Sequence, residues 1–182
     1  YKEALQRARS AYGDKHSQVA LTLENLAVLY GDMGRHEDSG KFAAQALELF
    51  EANYGENSSN LVYVLNNLAM VFHATDRSNN ALSYLTRALR IVNENETMRS
   101  APIVPVLLDN LASVFSRRGK PRIALKHTRN AYNRFLPLYG KDNARTATAA
   151  LNLGALHSEL KEYDKALPWY QQAHASFGKI YG

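Results

Sequence analysis

The sequence predicts an all-α fold, a solenoid of stacked antiparallel helix hairpins with no β-sheet, and three observations predict it. A repeat runs through nearly the whole chain: Asn25-Leu26-Ala27 returns as Asn67-Leu68-Ala69, Asn110-Leu111-Ala112 and Asn152-Leu153-Gly154, at steps of 42, 43 and 42 residues. Within each unit the apolar residues recur at i, i+3, i+4 and i+7, the period of a helix face. No segment alternates polar and apolar residues long enough to make a strand. A single hairpin cannot bury both its faces, so such units stack and share a core with their neighbours.

Two further markers keep the same register. Ala4, Ala46, Ala88, Ala131 and Ala173 follow one another at 42 or 43 residues, and a Tyr-Gly pair closes most units at Tyr12-Gly13, Tyr54-Gly55, Tyr139-Gly140 and Tyr181-Gly182. The expected boundaries are 1–13 for the end of a partial repeat, then 17–55, 58–97, 101–140 and 143–182 for four full ones. Together they form a single array that reads as a fragment of a longer protein.

Each element follows from its residues. In the first full repeat Leu23, Leu26, Ala27 and Tyr30 line a first helix that Gly34 should end, since glycine takes positive φ without strain. Ala46, Leu47 and Phe50 then line the second helix. Leu65, Leu68, Ala69 and Phe72 repeat the pattern, followed by Ala88, Leu89 and Val92. The third repeat has Leu108, Leu111, Ala112, Phe115 and Gly119, but its entry is irregular: Tyr-Gly is missing and Glu94 to Ser100 is a longer polar loop. Pro102 and Pro105 place the start of its first helix between them, because proline is tolerated only in a first turn. In the fourth repeat His157 stands at the aromatic position as a packed core histidine. Ala81, Ala124 and Ala166 are small where second helices must approach first ones.

Composition narrows the chemistry. The 182 residues include no cysteine, which removes thiol nucleophiles, disulfides and Cys-ligated metal centres. It also fits a reducing, cytoplasmic compartment; an upstream organelle-targeting segment is left open by a start that reads as mid-helix. The six histidines form no i, i+4 pair, the glycines make no phosphate loop, and no serine sits in a nucleophile elbow. No catalytic residue, metal ligand or cofactor site is expected, and no apolar run reaches the length of a membrane span. Charge is uneven: residues 1–91 carry 9 basic and 10 acidic side chains, residues 92–182 carry 13 and 7.

The Asn-Leu-Ala triplet, the aromatic three residues on, the inter-helix glycine and the spaced alanines resemble the tetratricopeptide repeat. The 42-residue period, the Tyr-Gly loop and Lys165-Ala166-Leu167-Pro168-Trp169-Tyr170 are similar to its kinesin-light-chain type. Asp76 and Lys161 depart from the inter-helix glycine, His157 from the aromatic and Ser39 from the packing alanine. The resemblance implies a right-handed superhelix with first helices on the concave face. It implies a scaffold or adaptor whose partner is a protein or peptide.

On that face the residues at 3–4 spacing from each asparagine are the binding candidates. They are Leu21, Asn25, Val28 and Asp32, then Tyr63, Asn66, Asn67, Met70 and Ala74. Val106, Asp109, Asn110, Ser113 and Arg117 follow, then Thr148, Asn152, Ala155 and Glu159. A primary amide can pair with both backbone groups of an extended peptide, and the resemblance implies this role for Asn25, Asn67, Asn110 and Asn152. The alternative is that each asparagine bonds a neighbouring helix and spaces the stack. Glu24, Asp109 and Glu159 beside Arg117 do not make a strongly basic groove suited to acidic peptides.

A second surface competes. From Asn110 to Lys141 there is no carboxylate, and Arg122, Lys126 and Arg129 form one stripe at i, i+4 and i+7. Either the stripe is a solvated convex face, or it docks the chain into a larger complex, as the open ends of the array also could. RNA is the weakest partner for it, because no aromatic platform for single strands accompanies the cations.

Overall fold

The computed structural model describes residues 2–182; Tyr1, the first residue of the partial repeat, lies outside the described residues. Among the described residues there are nine α-helices and no strand. They are α1 (Lys2–Tyr12), α2 (Ser17–Asp32), α3 (His36–Tyr54), α4 (Leu61–Ala74), α5 (Ser78–Glu94), α6 (Ile103–Arg117), α7 (Pro121–Tyr139), α8 (Ala144–Glu159) and α9 (Tyr163–Tyr181). The helices α2 and α3, α4 and α5, α6 and α7, and α8 and α9 are the paired arms of four hairpins. Contacts sort the chain into two compact units, residues 1–99 and 100–182, which divide at the irregular junction.

All four hairpins turn the same way. The N–H of Arg35, Arg77, Lys120 and Glu162 donates to the carbonyl of Tyr30, Phe72, Phe115 and His157, at 2.8, 2.8, 3.0 and 2.9 Å. That six-to-one bond needs a left-handed residue just before the donor. Gly34 and Gly119 supply it with φ of 72° and 66°. Asp76 and Lys161, which depart from the family pattern, take φ of 58° and 61° and close the same turn. The missing glycines therefore cost some local strain, on the order of 1 kcal/mol each, and change no geometry.

The third repeat begins at Ile103, with Pro102 immediately before it and Pro105 inside the first turn. Neither ring removes a helical hydrogen bond there, because the first N–H groups of a helix have no intrahelical acceptor. The preceding loop holds a short 3₁₀ turn over Glu96–Met98, capped by Asn95 Oδ1, which accepts from Thr97 N at 3.1 Å and Thr97 Oγ1 at 2.7 Å.

The small residues lie where the hairpin arms meet. Ala27, Ala69, Ala81 and Ala124 are fully buried, and Ala112 and Ala166 nearly so. Ser39 replaces an alanine without loss, since its buried hydroxyl donates to the Ala27 carbonyl at 2.7 Å. Rings stack twelve residues apart in three repeats: Tyr30 on Phe42, Phe72 on Tyr84 and Phe115 on His127, with centroids 5.1 to 5.7 Å apart. Loops are held by the second helix of the following repeat. Asn53 Nδ2 donates to Lys15 O at 2.8 Å, Arg90 to Asn57 Oδ1 at 3.2 Å, and Lys179 pairs with Asp142 at 3.0 Å.

Candidate functional site

The candidate surface in residues 1–99 is built by α2 and α4, which pack directly on one another. Helical spacing buries Leu23, Leu26 and Ala27 of α2 and turns Leu21, Asn25, Val28 and Asp32 outward. On α4 it buries Leu65, Leu68 and Ala69 and turns Tyr63, Asn67 and Ala74 outward, with Met70 half-buried. Three large apolar side chains stay in water here: Leu21 and Val28 are 42% and 41% exposed and Tyr63 is 53% exposed. Asn66 corrects the expectation from sequence. It is buried, because it falls on the core side of α4 one residue from the outward stripe, and its amide reaches Asn67 Oδ1 at 3.4 Å.

Asn67 is not simply free for a ligand. Its Nδ2 donates to Glu24 Oε1 at 2.7 Å, joining α4 to α2, while the residue itself remains exposed. Glu24 is buried, and that burial pushes its carboxyl above the usual glutamate range, against the lowering effect of the Asn67 hydrogen bond. The structure thus gives Asn67 the spacer role and an outward position together.

A raised carboxyl makes a pH prediction. The unfolded chain loses the Glu24 proton first, so stability falls as pH rises from the ordinary glutamate range through the higher folded value. Glu24→Gln keeps an oxygen to accept from Asn67 and removes the buried charge. Urea denaturation across that window is expected to show the variant gaining on the wild type as pH rises. An unchanging difference would refute it.

Residues 100–182 repeat the relation and then depart from it. Asp109 stands before Asn110 as Glu24 stands before Asn25, and it is bonded by Asn152 of the next repeat. Burial raises its carboxyl, opposed by the Asn152 bond and the Arg145 charge, and its Oδ1 is enclosed without a hydrogen-bond partner. Here α6 and α8 do not close on each other as α2 and α4 do. A cleft of about 240 Å³ opens instead, lined by Val106, Asp109, Asn110, Phe135, Ala144, Arg145 and Thr148. Asn110 and Asn152 are half-buried at this face, and Ser113 and Arg117 are exposed further along α6.

Reading the sequence missed Arg145 and Phe135 as lining residues. A signal for the acid–amide pairs was present: an acidic residue precedes Asn25 and Asn110, 43 residues before the asparagine it meets. The opening of the cleft had no such signal, since it depends on how far two helices separate.

The basic stripe is of two kinds. Arg122 and Lys126 are exposed on α7. Arg129 is committed to the fold, with its guanidinium over the Trp169 ring at 5.7 Å and a contact to His157 Nε2 at 3.1 Å. A guanidinium only donates, so His157 accepts at Nε2 and its Nδ1–H donates to Glu162 Oε2 at 2.7 Å. This junction links α7, α8 and the start of α9, and the His157 hydrogen bond, with that of Lys165, holds the Glu162 carboxyl below the usual range. The histidine expected as packed core is buried and serves as a polar junction. Among the described residues no group of His, Asp and Glu is placed to hold a metal, and no helix is long and apolar enough to cross a membrane.

Known proteins agree with this architecture. No curated protein sequence matches the chain significantly. The crystal structure of BtubC (BKLC) from P. vanneervenii superposes with a TM-score of 0.83 at 22% identity, covering 98% of this chain and 70% of that one. The nearly identical TPR-like repeats of a putative kinesin light chain from Podosopora anserina superpose with a TM-score of 0.78 at 14% identity, covering 99% and 85%. MamA superposes with a TM-score of 0.67 at 16% identity, covering 97% and 86%. The family model described as tetratricopeptide repeat matches residues 18–94 and 104–179. With four hairpins, one shared turn geometry and a match over most of its length, this chain belongs to the tetratricopeptide repeat family.

Proposed function

We propose that this chain is a non-catalytic scaffold that holds an extended peptide segment of a protein partner against the outward faces of its first helices. The observation that carries this reading is the stripe on α2 and α4. There Asn25 and Asn67 lie outward, flanked by Leu21, Val28 and Tyr63, apolar groups left in water. Amides can satisfy a peptide backbone while apolar neighbours take its side chains, the division of labour that makes extended peptides bind. Asn110 and Asn152 stand at the equivalent sequence positions within residues 100–182.

The test is capture of protein partners by the wild type and by Asn67→Ala with Asn110→Ala. Loss of the captured partner is expected, and full retention would refute the reading. Asn67 also serves buried Glu24, so the exposed Asn25→Ala is the companion variant, and circular dichroism verifies the fold of each.

A second reading, docking into a larger assembly through the outer face of α7, is favoured by exposed Arg122 and Lys126 in a stretch without carboxylates. Its test is Arg122→Glu with Lys126→Glu. Arg129 is left untouched because His157 and Trp169 hold it. Loss of partner capture by this pair, with the asparagine variants unaffected, would favour docking over the groove.

A further inference from the structure

We infer that the groove between α2 and α4 takes an extended peptide segment carrying an apolar side chain and, two residues away, a lysine or arginine. The inference rests on the groove reading and names the partner chemistry of its part in residues 1–99. Glu24 meets Asn67, and a Cβ on Gly31 would stand 3.9 Å from Val71 Cγ1, so the two helices lie side by side and run the same way. Their outward stripes therefore pair in rows: Leu21 with Tyr63, Asn25 with Asn67, Val28 with Met70 and Asp32 with Ala74.

Charge complementarity names the occupant. Neither α2 nor α4 contains a lysine or arginine, and their carboxylates are Glu24 and Asp32. Asp32 is exposed and takes no cation of the described residues. Arg35, three residues on, is held by Asp38 at 2.6 Å and lies over the Tyr30 ring. An acid in the last turn opposes the helix dipole, and α2 has no basic residue there to offset it. A local rule broken with no compensation inside the fold points to a binding position. A lysine or arginine from outside satisfies both Asp32 and the helix end, whereas an acidic side chain is repelled by both.

Spacing sets the register. Val28 and Asp32 are four residues apart on one helix face, about 6 Å along the axis. Alternate residues of an extended chain are about 6.6 Å apart and point the same way. One apolar side chain can thus rest on Val28 and Met70 while the cation two residues on meets Asp32.

The experiment is selection of a phage-displayed random dodecapeptide library on the folded chain, followed by fluorescence polarisation of the synthesised peptides. Groove binders are those weakened by Tyr63→Ala. Among them a lysine or arginine two residues from an apolar side chain is expected as a fixed pair. Replacing that cation by alanine should weaken binding about threefold, as for one exposed ion pair, and by less at high salt. Asp32→Lys should weaken the same peptides further, and selection on that variant should turn the cation to Asp or Glu. The variant's melting temperature should rise, because it places a cation at the end of α2. Groove binders without the cation, a preference unmoved by Asp32→Lys, or a melting temperature that falls overturn the inference and leave the groove. A library that yields no peptide weakened by Tyr63→Ala overturns the groove reading, and the inference with it.

Discussion

Gly154→Ala is expected to destabilise the chain by about 1–3 kcal/mol, the range for an overpacked interior. This runs against helix propensity, which favours alanine over glycine inside a helix by roughly 0.5–1 kcal/mol. The reason is steric. A Cβ at residue 154 would lie 2.8 Å from Tyr170 Cδ1, 3.0 Å from Cε1 and 3.1 Å from Cγ. The equivalent first-helix positions are Ala27, Ala69 and Ala112, all buried, and at the position equivalent to Tyr170 their repeats carry Ala43, Leu85 and Thr128. The fourth repeat therefore gives up a methyl group to seat a ring. Tyr170 is 36% exposed, so it can yield partly, which holds the cost to the lower part of that range. Urea denaturation of a double-mutant cycle decides the matter. In a Tyr170→Leu background the same glycine-to-alanine change should turn stabilising, and a stabilising effect in the wild-type background would sink the account.

That swap shows which features could be read from one repeat and which need two. The hairpins were legible because the i, i+3, i+4, i+7 pattern reports burial on one face, and the repeated triplet fixes where that face lies. The turns were legible too, yet Asp76 and Lys161 show that a glycine marks a backbone conformation without being required for it. The outward stripe of Asn25 and Asn67 followed from helical spacing. Asn66 did not, because it lies one residue from Asn67, about 100° around the helix, on the buried side. The pairing of Glu24 with Asn67, the engagement of Arg129 by His157, and the cleft beside Asp109 all depend on side chains from different repeats meeting. A pattern read within one period does not contain those distances. The sequence resemblance suggested an asparagine free to hold a peptide, and the structure gives Asn67 a carboxylate to hold as well.

Leu68→Ala should have the largest effect of any single change considered, a loss of about 2–5 kcal/mol, as for other fully buried leucines. Leu68 is 0% exposed and lies on α4, which packs against α2, α3 and α5. In a stacked array each repeat is stabilised by its own hairpin and by its neighbours, so a cavity in α4 weakens every helix that touches it. Hydrogen exchange should therefore show α2 to α5 losing protection together. Tyr63→Ala, five residues earlier on the same helix, is the control. Its side chain is 53% exposed, so stability should change by no more than about 0.5 kcal/mol. The two variants separate the two faces of one helix: the face with Leu68 holds the stack, and the face with Tyr63 stands in water. If Tyr63→Ala cost as much stability as Leu68→Ala, its ring would be part of the core and the outward stripe would lose its strongest apolar contact. If Tyr63→Ala spares the fold but reduces peptide capture, an exposed tyrosine on a helix that already has a full core is explained by the ligand.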